Sequence, residues 1–416
     1  MSPAAGRTQA GEELAYLRSA RAVRERCEAI FVAATKGDVE HWAVDEEQLA
    51  SVVDRVVRTT LATYGDVRSI PYHSRWRHFG AGGLDRVAKL EQRLRSLAPE
   101  DRLVAAVDLV VPSVLLDAGA GDRWSYRDER GQQYGRSEGL AVASHDLFVS
   151  GAFSNDASGD PLRADGAALE RVTAAVLARG LQASENNPLV GLEGRAAVLQ
   201  RLGEVVRAKP EYFGAASSGD RRASRVGHLA LYLASAAQDG ALPAAQVLAV
   251  LLDALGPIWP GREAYDGTNL GDVWTHSRFG RVPFHKLSQW LAYSLCESLE
   301  GAGTPVADID ELTGLAEYRN GGLFVDGGVL VPKRTEILHL EHDVSSDVVI
   351  EWRALTVALL DRTAAAVRVR LGVSARELPL AKVLEGGTWR AGRILALEKR
   401  PGGPPPLRVR SDGTVF

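Results

Sequence analysis

Val349-Ile350-Glu351-Trp352-Arg353-Ala354-Leu355-Thr356-Val357-Ala358-Leu359-Leu360 carries apolar side chains on nearly every face of a helix. A helix that is apolar all round belongs in an interior. The helical pattern runs from Val348 to Leu371, so this segment is expected to be central. Glu351 and Arg353, in its first turns, are then buried or line a pocket. A purely structural ion pair with the turn Glu317-Tyr318-Arg319 is the alternative.

The same periodicity recurs outward along the chain. Residues 14–34 place Leu17, Ala20, Val23, Cys27, Ile30 and Phe31 at helical spacing. Residues 47–62, 84–97, 103–116, 168–181, 194–206, 244–255 and 284–299 read alike. Ala, Leu, Arg and Glu dominate them, and all are good helix formers. One strand signal stands out: Leu323-Phe324-Val325 and Val329-Leu330-Val331 flank Asp326-Gly327-Gly328, which reads as a hairpin. No internal repeat is visible. The expected fold is mainly α with this small β-hairpin. A helical domain over 12–398 would follow a flexible N-terminus, 1–11, and precede a Pro/Gly-rich tail, 399–416.

The 416 residues carry a net charge of −4, and 45% are hydrophobic. Proteins that grip nucleic acid usually show a basic domain, so nucleic acid is not an expected partner. Two cysteines, Cys27 and Cys296, exclude a disulfide framework and suit a reducing compartment. No apolar run approaches the ~18 residues of a membrane helix, and the N-terminus lacks a signal-peptide core. The expected location is the cytoplasm, away from membranes.

Polar residues inside apolar segments mark candidate sites, because burying an unpaired charge costs several kcal/mol. In Tyr72-His73-Ser74-Arg75-Trp76-Arg77-His78-Phe79 two arginines alternate with aromatics, which suits an anion or a loop with solvated charges. Asp117 ends an apolar helix before Gly119 and Gly121, with Trp124 beyond; it is a ligand-facing carboxylate or a plain helix end. Asp272 and Trp274 precede Pro283-Phe284-His285-Lys286, where Pro283 reads as a helix start. A lysine in a first turn, beside free backbone N–H groups, suits phosphate, or is simply solvated. His339 and His342 with Glu341 come nearest to a metal set, yet no metal or cofactor is expected.

Read in order, PYHSRWRHF (71–79), DAGAGDRWSY (117–126), GDVW (271–274), PFHKLSQWL (283–291), EYRNGGLFVD (317–326) and WRALTVALLD (352–361) resemble the fourth-protein family of the uracil-catabolism (URC) pathway. The resemblance covers almost the whole chain. It implies a step after pyrimidine ring opening, in which a ribosylurea-type compound is split into urea and a sugar. It also implies a functional link to ring-opening and uracil salvage enzymes. A fainter similarity joins residues 271–319 to queuosine salvage N-glycosidases. Their RDV, FYKRAQ, IDELT, ADYR and EIRA segments match Asp272-Val273, 284–289, 309–313, Ala316-Glu317-Tyr318-Arg319 and 350–354. That similarity implies an all-helical fold related to helix-hairpin-helix DNA glycosylases. The departures are Glu317 for their aspartate, His285 for their tyrosine, and Asn320-Gly321-Gly322 for their VPQ.

Both resemblances imply an N-glycosidase acting on a small nucleoside- or nucleotide-like substrate. Such a reaction needs a carboxylate near the sugar carbon and an acid or donor for the leaving nitrogen. Glu317 is expected to be that carboxylate. Lys286 and His285, with Arg75 or Arg77, would hold a 5′-phosphate. Asp272 or Asp117 would meet ribose hydroxyls or the leaving group, and Trp124 and Trp274 would wall the pocket. Arg353 would position Glu317 or meet phosphate; His73, Tyr318, Arg319 and Glu351 complete the expected set. A tight Glu317–Arg319 pair would favour a charged stabiliser over a proton donor. The alternatives are a metal-dependent amidohydrolase on the opened ring and a non-catalytic nucleotide-binding protein of the same pathway.

Overall fold

The computed structural model describes residues 3–121, 123–214, 224–261 and 263–410. They form a mainly helical protein whose strands occur only as small pairs. Two compact units divide them. The first holds the described residues of Met1–His73, Gly261–Gln289 and Asp308–Arg410; the second holds those of Ser74–Pro260 and Trp290–Ala307.

The first unit is built on the helix Asp347–Leu371. Every residue from Val348 to Leu360 is buried, as an all-round apolar helix requires. It ends at Gly372, whose φ of +64° suits a residue without Cβ. Helices Ala20–Thr35, Leu49–Tyr64 and Tyr318–Asp326 pack on it. Trp42 donates its indole N–H to Val348 O at 3.0 Å, and Trp352 donates to Gly321 O at 3.2 Å. Gly321 is required there, since a Cβ would lie 2.7 Å from the Trp352 ring.

The helix read over 14–34 is two helices, Pro3–Leu17 and Ala20–Thr35. Ser19 separates them, capping the second by accepting from Ala22 N at 3.1 Å.

The hairpin expected at 323–331 is absent. Leu323, Phe324 and Val325 lie in the helix Tyr318–Asp326, because Glu317 caps its start and Leu323 and Phe324 are buried against neighbouring helices. Gly327 and Gly328 do turn the chain, but at the end of that helix. The strand that follows, Leu330–Pro332, pairs antiparallel with Trp42–Val44. A hairpin exists instead at Val273–His276 and Gly280–Pro283. In the segment read as a tail, Arg408–Arg410 pairs in parallel with Glu341–Asp343; Ser411, Asp412 and Gly413 lie outside the described residues.

The second unit centres on the helices Pro99–Leu115 and Arg136–Val149, which pack together. The strands Ser125–Arg127 and Gln133–Gly135 form a hairpin before the latter. The helix read over 168–181 is broken into Gly166–Leu169 and Ala174–Gly180, with Thr173 capping the second piece. Among the described residues no helix is long and apolar enough to cross a membrane.

Candidate functional site

Glu317 stands at the N-terminus of the helix Tyr318–Asp326 in extended conformation. Its carboxylate accepts from the backbone N–H of Arg319 at 2.7 Å and of Asn320 at 2.6 Å. These are two of the donors that a helix start leaves without intrahelical partners. The side chain is buried, with the residue 7% exposed. Each carboxylate oxygen keeps a second lone pair, so the group is fixed in place yet able to accept again.

Arg319 does not pair with Glu317 through its side chain. The carboxylate takes the backbone N–H of Arg319, while the guanidinium turns toward aromatic rings. Its carbon lies 4.8 Å from the centre of Trp389 and 5.2 Å from that of Tyr318. The residue is 5% exposed, and its Nε has no hydrogen-bond partner. Among the described residues no carboxylate lies within ion-pair distance of it. A buried cation without a counter-charge is expensive.

Asp272 and Arg353 make the reverse case. Arg353 Nη1 and Nη2 reach the two carboxylate oxygens of Asp272 at 2.8 and 2.7 Å. Trp274 Nε1 donates to the same carboxylate at 2.7 Å, and the Lys286 backbone N–H at 3.0 Å. Four donors occupy about four lone-pair sites. Burial pushes the Asp272 carboxyl up, but Arg353 and the other donors outweigh it and hold it well below the usual carboxylate range. Asp272, expected to act on substrate, here spends its carboxylate on these four donors and clamps the start of the helix Lys286–Gly301. Arg353 likewise holds Asp272 rather than Glu317, with its guanidinium 4.0 Å above the Phe284 ring. Trp274 spends its N–H on the same clamp.

His285 is buried and bonded through Nε2 to Leu17 O at 2.8 Å. Burial depresses its imidazole pKa, so the ring stays neutral and is no phosphate cation. Lys286 opens the helix half-buried. Glu351 is fully buried and accepts from the backbone N–H of Glu40 and His41 and from the rings of His41 and His276. Burial pushes its carboxyl up, yet these donors bring it below its ordinary value. It pins the loop before Trp42 to the central helix, a structural task in place of substrate contact. His342, from the nearest metal-like set, spends Nε2 on Ile337 O at 2.8 Å.

In the second unit Arg75 is wholly buried. It donates to Ser113 Oγ at 2.7 Å, to Asp117 at 2.5 Å and to Ser137 O at 3.2 Å, while Nη2 has no partner. Burial lowers the Arg75 pKa, and Asp117 opposes that shift. Ser137 Oγ also donates to both Asp117 oxygens at 2.7 Å, so Asp117 is anchored rather than a free helix end. Arg77 is exposed and paired with Glu297. Trp124 is core: its N–H bonds Leu181 O at 2.9 Å and its ring meets Gly139. Asp122 lies outside the described residues.

The family described as protein of unknown function (DUF1688) matches residues 16–416. The chain belongs to that family. Two relatives span nearly its full length. Protein urg3 of Schizosaccharomyces pombe (strain 972 / ATCC 24843) is 39% identical over 412 residues, 97% of this chain and 99% of its own. Uracil catabolism protein 4 of Lachancea kluyveri is 36% identical over 444 residues, again 97% of this chain and 99% of its own.

In this member of the family the reading of the residues passed over Tyr64, Glu385 and Trp389. His73, expected in an anion loop, bonds Glu385 through Nδ1 at 2.8 Å, and the Tyr64 hydroxyl donates to the other oxygen at 2.9 Å. Glu385 lies on a π-helical segment, Leu384–Thr388, that leads into Trp389. The available signal was Gly386-Gly387 between an acid and a tryptophan in a helical stretch, since π-turns frequently sit at functional sites.

Proposed function

We propose that this protein hydrolyses the N-glycosidic bond of a ribosylurea-type compound, free or 5′-phosphorylated, in uracil breakdown. The step releases urea and ribose or ribose phosphate. A near-full-length relative named Uracil catabolism protein 4 supports the pathway. The similarity of residues 271–319 to nucleoside-monophosphate N-glycosidases supports the reaction.

The observation that carries the reading is Glu317: a buried carboxylate fixed by two backbone donors, two residues from a buried cation that has no counter-charge among the described residues. Cleavage of a C1′–N bond develops positive charge on the sugar ring. A preorganised carboxylate stabilises that charge without reorganising, and a dry surround strengthens the effect. Water oxygen bonds C1′ as the C1′–N bond breaks, and a water proton ends on the ureido nitrogen. Lys286 and Arg319 provide the positive charge for a phosphorylated sugar; Tyr318 and Trp389 provide apolar walls.

The reading is tested by incubating the protein with ribosylurea and with its 5′-phosphate and assaying urea and ribose. Urea with a stoichiometric sugar supports it. Ammonia with no free sugar overturns it in favour of an amide hydrolase.

A further inference from the structure

We infer that Arg319, braced against Trp389, is the subsite for an oxyanion: the phosphate of a sugar phosphate. The inference deepens the function proposed above and rests on it for the identity of the sugar. The residue is 5% exposed, its Nε is buried, and its guanidinium touches two aromatic rings with no carboxylate in reach among the described residues. Stacking satisfies the face of a guanidinium and leaves its in-plane N–H donors for a planar or tetrahedral oxyanion. Arg353, buried in the same unit, is neutralised by Asp272. Arg319 has no such partner among the described residues, and an arriving anion supplies one.

Two polar atoms adjacent in the chain are also unsatisfied. Asn320 Oδ1 and Thr388 Oγ1, next in the chain to Arg319 and Trp389, are buried and without partners. A sugar phosphate brings both kinds of group, oxygens that accept from a hydroxyl and hydroxyls that donate to an amide oxygen. Glu317 adds a negative charge close in the chain, so an anionic ligand needs a cation to offset it, and Arg319 is a cation two residues away.

The support is rigid. Trp389 follows the π-turn Leu384–Thr388, and Glu385 on that turn is held by His73 and Tyr64. One turn further, Gly392 lies against the Arg319 carbonyl so closely that a Cβ would sit 2.3 Å from its oxygen. The helices Tyr318–Asp326 and Trp389–Lys399 are thus locked at the point where arginine meets indole. His285, the ring expected to bind phosphate, is neutral and occupied with Leu17.

The test uses the full chain and follows thermal unfolding and tryptophan fluorescence. The probes are inorganic phosphate, ribose 5-phosphate and ribose. Both phosphates raise the melting temperature of the wild type and change its fluorescence, with W389F removing most of the fluorescence change; ribose alone does neither. Arg319→Met loses the phosphate response and, without ligand, is at least as stable as wild type, because it deletes a charge that has no partner. Should Arg319→Met not fold, Arg319→Lys keeps the charge but loses the two-nitrogen edge, and binds phosphate roughly tenfold more weakly. A wild type indifferent to both phosphates, or Arg319 variants that respond as wild type, overturns the subsite. Urea release from unphosphorylated ribosylurea without any phosphate response removes this inference and leaves the glycosidase reading. A phosphate response without urea release does the opposite.

Discussion

Arg353 grips Asp272 with both terminal nitrogens, at 2.8 and 2.7 Å, and the pair joins the buried central helix to the start of the helix that Lys286 opens. Removing one partner leaves a buried charge unmatched, so Asp272→Asn or Arg353→Met is expected to cost about 3–5 kcal/mol. Chemical denaturation measures it. The pH dependence has a definite sign. The Asp272 carboxyl is held below its ordinary value, so the native state binds fewer protons than the unfolded chain. Its stabilisation is complete above the unfolded pKa of about 4 and drains away as pH falls toward the folded value. Asp272→Asn flattens that acid limb; an unchanged limb contradicts the assignment.

His285 titrates in the same direction for a different reason. Burial lowers its imidazole pKa, so the unfolded chain takes up a proton first as the solution is acidified. Stability is full above about pH 6.5 and declines below it until the folded ring protonates. A ring-nitrogen NMR titration is expected to place the imidazole midpoint below the ordinary histidine value, with the neutral Nε2–H form donating to Leu17 O. A midpoint at or above the ordinary value would restore the phosphate role.

Gly321 tolerates no side chain. A Cβ would lie 2.7 Å from Trp352 Cε2, within the buried face between the two helices. Gly321→Ala is expected to lower stability by about 1–3 kcal/mol, the scale of overpacking a core. A shift in Trp352 emission should accompany it. An unchanged denaturation midpoint would mean the helices separate more readily than their contact implies.

Much of the fold was legible in the residues, and much of the site was not, for one physical reason. Val348–Leu360 announces its burial because helical periodicity is local, and a missing polar face can be seen in a dozen residues. Leu323-Phe324-Val325 misled because a short apolar run fits either a strand or a buried helix; the arbiter was Glu317, whose cap bonds begin the helix. The partners of charged residues are another matter. Asp272 and Arg353 are 81 residues apart, and Tyr64 and Glu385 are 321 apart. Both carboxylates were visible as acids, but nothing in the chain states which cation or hydroxyl each will meet. The same gap hid the surroundings of Arg319, which lies two residues from Glu317 in the chain and turns its guanidinium toward Trp389, with no carboxylate partner among the described residues.

Glu317 carries the account, and one assay bears on it most directly. Glu317→Gln keeps one oxygen and so one of the two cap bonds to Arg319 and Asn320, and the protein is expected to fold at a cost of about 1–3 kcal/mol. Urea release from ribosylurea 5′-phosphate, measured beside wild type, is expected to fall by at least ~100-fold. A folded Glu317→Gln protein that releases urea at close to the wild-type rate would contradict the claim.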